Sequence, residues 1–185
     1  MAAQQTLTKT YGSLKMNLEK LNSLAEVDAE RWFSQSCAAQ KWIGAMVKQR
    51  PYGSLQEVVS SAQEAWQTCT AKDYMQAFKA HPMIGNVNSL RAKFSSTKTL
   101  ASKEQSGAND ASELTLKELS ELNHQYLQLN GFIFIICASG LTAQAMLQAL
   151  KLRISNKQSV ELEKAAAEQI KITLLRLQKG LTENS

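Results

Sequence analysis

Apolar residues recur three and four positions apart along most of this chain, a period that predicts helices rather than strands. Leu14, Leu18, Leu21 and Leu24 form the first such face. Asp28 is expected to cap a helix through Trp32 and Phe33 toward Cys37, and Trp42, Ile43, Met46 and Val47 continue the apolar face. Arg50-Pro51-Tyr52-Gly53 is a turn. Ser54 and Glu57 form a capping box, so a helix starts there and carries Val58, Val59, Ala62 and Trp66. Asp73 and Gln76 open a shorter helix with Tyr74 and Phe78, and His81 stands at its end.

The stretch from Gly85 to Thr99 is irregular, with one helical turn at Ser89 to Phe94. Ser102 and Gln105 mark the next start, Thr115 with Glu118 makes a second capping pair, and the pattern runs to Leu129. Asn130-Gly131 stops it, as a pair tolerant of left-handed backbone should. Phe132 to Cys137 reads locally as a strand, but one strand has no partner here, so it is expected among helices in extended or helical form. Thr142 caps a helix to about Ile154, and Ser159 caps the last one, ending at Gly180. In that last helix Leu162, Ala166, Ile170, Ile172, Leu174 and Leu177 define a broad apolar arc. Lys164, Glu168, Lys171 and Lys179 face away from it. Residues 1–13 read as a frayed terminus, 14–180 as one helical domain and 181–185 as a polar tail.

Only 8 Gly and 2 Pro punctuate 185 residues, too few turns for an all-β fold, so the expectation is an all-α, single-domain bundle. With no apolar run near 20 residues and no signal-type segment, the chain reads as soluble, not classically secreted, and not membrane-bound. Cys37, Cys69 and Cys137 are odd in number and widely spaced, which fits neither a disulfide framework nor a metal site. They read as buried thiols of a reducing compartment. A net charge of +5 raises the question of nucleic acid. The basic residues mostly alternate with acids, as on solvated helix faces. Arg91, Lys93, Lys98 and Lys103 stand without an acid between Asn86 and Lys103, a patch suited to a small anion or a polyanion.

Of the two histidines, His81 precedes Pro82, which favours extended backbone at His81 and suits the first position of a following helix. That places it at a junction facing a cleft. His124 reads as a surface residue within a helix, and Tyr126, Phe132 and Phe134 read as packing. Glu104 falls in a first helical turn, where the dipole favours a carboxylate, with Gln105 beside it. Arg176 falls inside the apolar arc of the last helix. It either pairs with a buried carboxylate or reaches an anionic ligand. An imidazole, a carboxylate, an amide and an arginine, with no metal-ligand set, phosphate loop or nucleophile elbow, suit cofactor-free proton chemistry on a small anion.

His81-Pro82-Met83-Ile84-Gly85, followed by Glu104-Gln105 and Ala108, resembles the 2-oxo-4-hydroxy-4-carboxy-5-ureidoimidazoline (OHCU) decarboxylase family. Leu122-Asn123 with Tyr126, Asn130 to Cys137, and Lys171-Ile172-Thr173-Leu174-Leu175-Arg176-Leu177 extend the resemblance over roughly residues 20 to 180. Cys137-Ala138-Ser139-Gly140 and the Glu-rich last helix look most like the decarboxylase half of plant allantoin synthases, and like some bacterial enzymes of the family. The resemblance implies an all-α fold of about eight helices. It also implies loss of carbon dioxide from OHCU to give (S)-allantoin in urate breakdown, with no metal or organic cofactor. It makes His81 the proton carrier and Glu104 its partner at the ring. Gln105 would bind substrate, Pro82 would shape the pocket, Ile136 would line it and Arg176 would grip the anion. The family often has serine three positions before the glutamate. Here that residue is Ala101, so either Ser102 substitutes as a substrate contact or the contact is missing.

The same resemblance implies a homodimer, and a hydroxyisourate hydrolase as a separate protein or a fused second domain. Thr182-Glu183-Asn184-Ser185 is no peroxisomal address, so the cytoplasm is the expected compartment, with the peroxisome expected if a longer protein carries the signal. Two rival readings stand beside the enzyme. One is a helical interaction module that has lost activity. The other is a nucleic-acid-binding domain, which lacks a stacking platform or known module.

Overall fold

The computed structural model describes residues 16–83 and 106–181, with residues 106–112 as helix backbone alone. Among these residues there are eight helices and no strand. They are α1 (Leu18–Ser23), α2 (Glu26–Ser34), α3 (Gln40–Lys48), α4 (Leu55–Gln67), α5 (Ala71–Lys79), α6 (Ser106–Asn130), α7 (Ala143–Arg153) and α8 (Gln158–Gly180). No helix among the described residues is long and apolar enough to cross a membrane.

Helix α8 packs against α4, α5 and α6, while α2, α3 and α4 pack in succession beside it. Trp42 and Trp66 tie these layers together. Each buries its ring and donates its indole N–H at 3.0 Å, Trp42 to the Ala62 carbonyl and Trp66 to that of Ala166. A buried indole thus contributes apolar area without an unsatisfied donor. At the C-terminal end of α1, the Arg50 guanidinium donates to the carbonyls of Leu21 and Leu24 at 3.0 and 2.8 Å. A cation there satisfies orphan carbonyls and suits the helix dipole.

Several predicted helix starts move. Asp28 lies in the first turn of α2 rather than capping it and pairs with Arg31 at 2.8 Å; Ala25 is the cap. Ser54 does accept from the Glu57 N–H at 3.1 Å, but the Glu57 carboxylate reaches one residue further, to the Gly53 N–H at 2.6 Å. Helix α5 starts before Asp73, whose carboxylate accepts from both the N–H and hydroxyl of Thr70 at 2.8 Å. Gln76 is in mid-helix and accepts from the Gln40 N–H at 3.1 Å. Thr115 and Glu118 lie inside α6 and bridge to α7 instead of capping. Thr115 donates to Gln144 at 3.1 Å, and Glu118 pairs with Lys151 at 2.5 Å. Ser159 sits within the first turn of α8, with Lys157 at the cap. Thr142 is the cap of α7, accepting from the Ala145 N–H at 3.1 Å. Gly131 ends α6 with φ of 74°, backbone that glycine adopts without strain. The irregular stretch from Gly85 to Thr99, its turn at Ser89 to Phe94, and the start at Ser102 and Gln105 lie outside the described residues.

The segment after Gly131 is extended yet belongs to no sheet. Phe132, Phe134 and Ile135 are buried, so its backbone groups need partners other than water. Side chains meet two of them, and a third closes the end of α6. Gln158 donates to the Asn130 carbonyl at 2.7 Å, Arg153 to that of Ile135 at 2.8 Å, and the Cys137 N–H to Glu168 at 2.7 Å.

Arg153 belongs to a buried ionic cluster around Glu161, which is 0% exposed. The Glu161 carboxylate accepts from Arg153 at 2.8 and 2.9 Å, from the Tyr126 hydroxyl at 2.5 Å and from Asn156 at 2.7 Å. Burial alone would raise its pKa, but these donors outweigh that and hold it below the ordinary carboxylate value. The arc expected on α8 is therefore corrected. Its buried stripe is Glu161, Ala165, Ala166, Gln169, Thr173 and Leu177, while Leu162, Ile170, Ile172 and Leu174 are half-buried. Cys37 and Cys69 are buried free thiols, pushed up to about 11 by burial, but Cys137 is only half-buried.

Candidate active site

Helix α5 buries Ala77 and Phe78 and carries His81 just past its end, where the His81 N–H bonds the Phe78 carbonyl at 3.1 Å. Phe78 packs on Phe132 with ring centroids 5.3 Å apart, which sets α5 against the extended segment. Phe132 and Phe134 both meet the buried Tyr126 ring, at 5.9 and 5.3 Å, so all three are packing residues as expected. Pro82 and Met83 continue in non-helical form; a helix does not start at Pro82.

Between His81, the extended segment and α8 lies a hollow of about 310 Å³. Pro82, Ile136 and Arg176 line it together with His81, so four of the residues singled out in the sequence share one cavity. Glu104, Gln105 and Ser102 lie outside the described residues. His124 is exposed on α6, where its Nδ1 meets the Ser120 carbonyl at 2.8 Å.

The His81 imidazole is half-buried, and its Nε2 stands 2.7 Å from the side-chain oxygen of Gln169. Burial lowers its pKa below the ordinary histidine value. The Gln169 contact opposes this, and the charge of Arg176 adds to it. The ring is therefore held toward its neutral, proton-accepting form.

Arg176 does not pair with a carboxylate among the described residues. It donates to the Ser36 carbonyl at 3.1 Å, which steadies one arm of the guanidinium at the cavity wall. By surface area the residue is exposed, yet its head is packed closely enough that burial lowers its pKa from the ordinary value. Lys179, one turn further along α8, lines the same hollow rather than facing away, as does the half-buried Cys137. Glu168, also expected to face away, is half-buried. It clamps the Cys137 N–H while pairing with Lys171 at 2.6 Å.

Sequence periodicity missed Gln169, Thr173, Glu168 and Lys179. The first two are polar residues at 0% exposure, so they look like solvated positions in an apolar-pattern reading. The available signal was their spacing from Arg176 on one helix face.

A neutral-leaning imidazole and two cationic side chains around a small, mostly apolar hollow form an arrangement able to support proton transfer on a small anion. The OHCU decarboxylase family model matches residues 22–178, and the chain belongs to that family. It is 39% identical over 161 residues to "Uric acid degradation bifunctional protein TTL" of Arabidopsis thaliana, covering 86% of this chain and 49% of that protein. It is 29% identical over 136 residues to 2-oxo-4-hydroxy-4-carboxy-5-ureidoimidazoline decarboxylase of Xenopus laevis, covering 72% of this chain and 75% of that one. A crystal structure of OHCU decarboxylase in the presence of (S)-allantoin superposes with TM-score 0.64 at 38% identity, over 81% of this chain and 96% of that one. The chain thus spans about half the length of the bifunctional plant relative.

Proposed function

We propose that this chain decarboxylates OHCU to (S)-allantoin in urate degradation, using its own side chains and no cofactor. The carrying observation is that His81 and Arg176 line one hollow in a member of this family. Arg176 binds the anionic substrate, and Lys179 adds positive charge at the same wall. The apolar sides formed by Ile136, Ile172 and Leu175 exclude water from a step in which a localised carboxylate charge disperses.

In that step the bond from the ring carbon to the carboxylate breaks and carbon dioxide leaves. The electron pair moves into the ring toward the neighbouring carbon and displaces that carbon's C=N π pair onto nitrogen, which takes up one proton from water. The substrate hydroxyl loses a proton, and that neighbouring carbon gains one. A single neutral imidazole at His81 balances both transfers, first as base and then as acid. By the family resemblance, Glu104 is its partner at the ring and Gln105 and Ser102 are substrate contacts, with Pro82 and Ile136 fixing the face that is protonated.

The working unit in this reading is a homodimer in the cytoplasm, supplied by a hydroxyisourate hydrolase that is either a separate protein or a fused domain. Where the chain belongs to a longer protein with a peroxisomal address, the compartment is the peroxisome. Circular dichroism of allantoin formed from freshly generated OHCU tests the activity. Rapid appearance of one enantiomer supports it, and racemic product at the spontaneous rate refutes it.

A further inference from the structure

Gln169 lies 88 positions from His81 in the sequence, is 0% exposed, and has both ends of its amide engaged. Its nitrogen meets the Thr173 hydroxyl at 3.1 Å, and its oxygen meets His81 Nε2 at 2.7 Å. Thr173, also 0% exposed, donates its single hydroxyl hydrogen to the Gln169 backbone carbonyl at 3.0 Å. With that hydrogen committed, Thr173 can only accept from the amide. The amide NH₂ therefore faces Thr173, and its carbonyl faces the imidazole. An acceptor opposite Nε2 requires that Nε2 carry hydrogen.

We propose that Gln169 is a positioning residue that holds His81 as the Nε2–H tautomer and leaves Nδ1 as the basic atom of the site. Its role in turnover rests on the decarboxylase reading, but the tautomer itself does not. Among the described residues no donor or acceptor meets Nδ1. The other groups of the hollow that bear on this ring are Arg176 and Lys179 from α8 and Cys137 from the extended segment. A neutral amide suits the task better than a carboxylate. It orients the ring while stabilising the imidazolium less than a carboxylate would, so Nδ1 can take a proton and release it again. The opposite arrangement would need the Thr173 hydroxyl to abandon the Gln169 carbonyl and donate to the amide oxygen.

Long-range proton–nitrogen correlation on the uniformly ¹⁵N-labelled chain reads the tautomer directly. The chain has two histidines, so His124→Gln leaves one ring and assigns its signals to His81. Above the His81 pKa the expected pattern is a protonated Nε2 and a bare Nδ1. A protonated Nδ1, or two averaged nitrogens, overturns the proposal. For the role in turnover, Gln169→Leu should lower kcat by about tenfold to hundredfold with little change in KM. Gln169→Glu keeps an acceptor and should recover most of kcat, while moving the acid limb of the rate profile to higher pH. A normally helical Gln169→Leu with unchanged kcat, or a Glu variant with an unmoved limb, refutes the positioning role. The nitrogen spectrum is taken without substrate. If the wild-type chain turns over no OHCU but shows the expected pattern, the decarboxylase reading fails and the tautomer assignment stands.

Discussion

The carboxylate of Glu168 on α8 accepts the backbone N–H of Cys137 at 2.7 Å, so the last helix holds the outer end of the segment that walls the hollow. Burial opposes ionisation of Glu168, but Lys171 and this N–H overcome it and lower the carboxyl pKa. Glu168→Ala strands a half-buried donor, at a cost of about 1 kcal/mol. KM for OHCU is expected to rise severalfold with a smaller fall in kcat. Steady-state kinetics with thermal melting check both effects, and unchanged KM would show that the wall stands without this anchor.

The Glu161 cluster should be far more costly to break. Glu161→Ala leaves the Arg153 guanidinium, the Tyr126 hydroxyl and the Asn156 amide without their shared acceptor. Removing one member of a buried ion pair costs roughly 3–5 kcal/mol. Urea unfolding of Glu161→Ala against wild type measures the loss. Exchanging both partners, Arg153→Met with Glu161→Leu, should return part of it.

His81 and Glu161 both have pKa values below their ordinary ones, so in each case the unfolded chain binds the proton more tightly than the folded chain. Both therefore contribute stability that is present above the unfolded pKa and lost as pH falls through the folded one. Stability should decline below pH 6.5 through His81 and again below pH 4.5 through Glu161. Urea midpoints followed across this range test it. His81→Asn should remove the upper decline alone.

Turnover should follow the same imidazole. Because burial and Arg176 lower its pKa, kcat/KM is expected to hold below pH 6.5 and fall only as the ring protonates. His81→Ala should cut stereospecific turnover by about 10²- to 10⁴-fold while leaving the helical circular dichroism intact. Near-normal rates in that variant would remove His81 from the mechanism.

Arg176→Lys keeps the charge but loses the planar fork and the arm held by Ser36. KM should rise about tenfold with kcat much less affected. Steady-state kinetics decide the point, and an unaltered KM would reduce Arg176 to a structural contact.

Local chemistry made much of this fold legible. Thr142 as a cap and Asn130-Gly131 as a stop each act through their immediate neighbours and stand where the sequence puts them, whereas His81 follows the end of α5 without the helix expected at Pro82. Other boundaries were obscured because the same residue types serve several ends. Thr115 and Glu118 have the spacing of a cap but spend their polar groups on α7. Asp73 serves a start at Thr70 that lies three residues earlier. The last helix was the least readable, since its buried stripe holds Glu161, Gln169 and Thr173. Charge or polarity at such positions is tolerated only because partners arrive from afar, Tyr126 being 35 and His81 88 positions away. Apolar periodicity carries no record of those partners. His81, Pro82, Ile136 and Arg176 were found as residues, but the amide behind the imidazole was not.

The extended segment beside the hollow is fastened at its backbone by Arg153 and Glu168, with Gln158 holding the Asn130 carbonyl where it leaves α6, and none of these depends on which side chains the segment itself carries. Fastening and lining are thus separate tasks given to separate residues. A change at Ile136 re-contours the chamber while its frame keeps its shape, so selectivity for the guest can drift without the scaffold being redrawn.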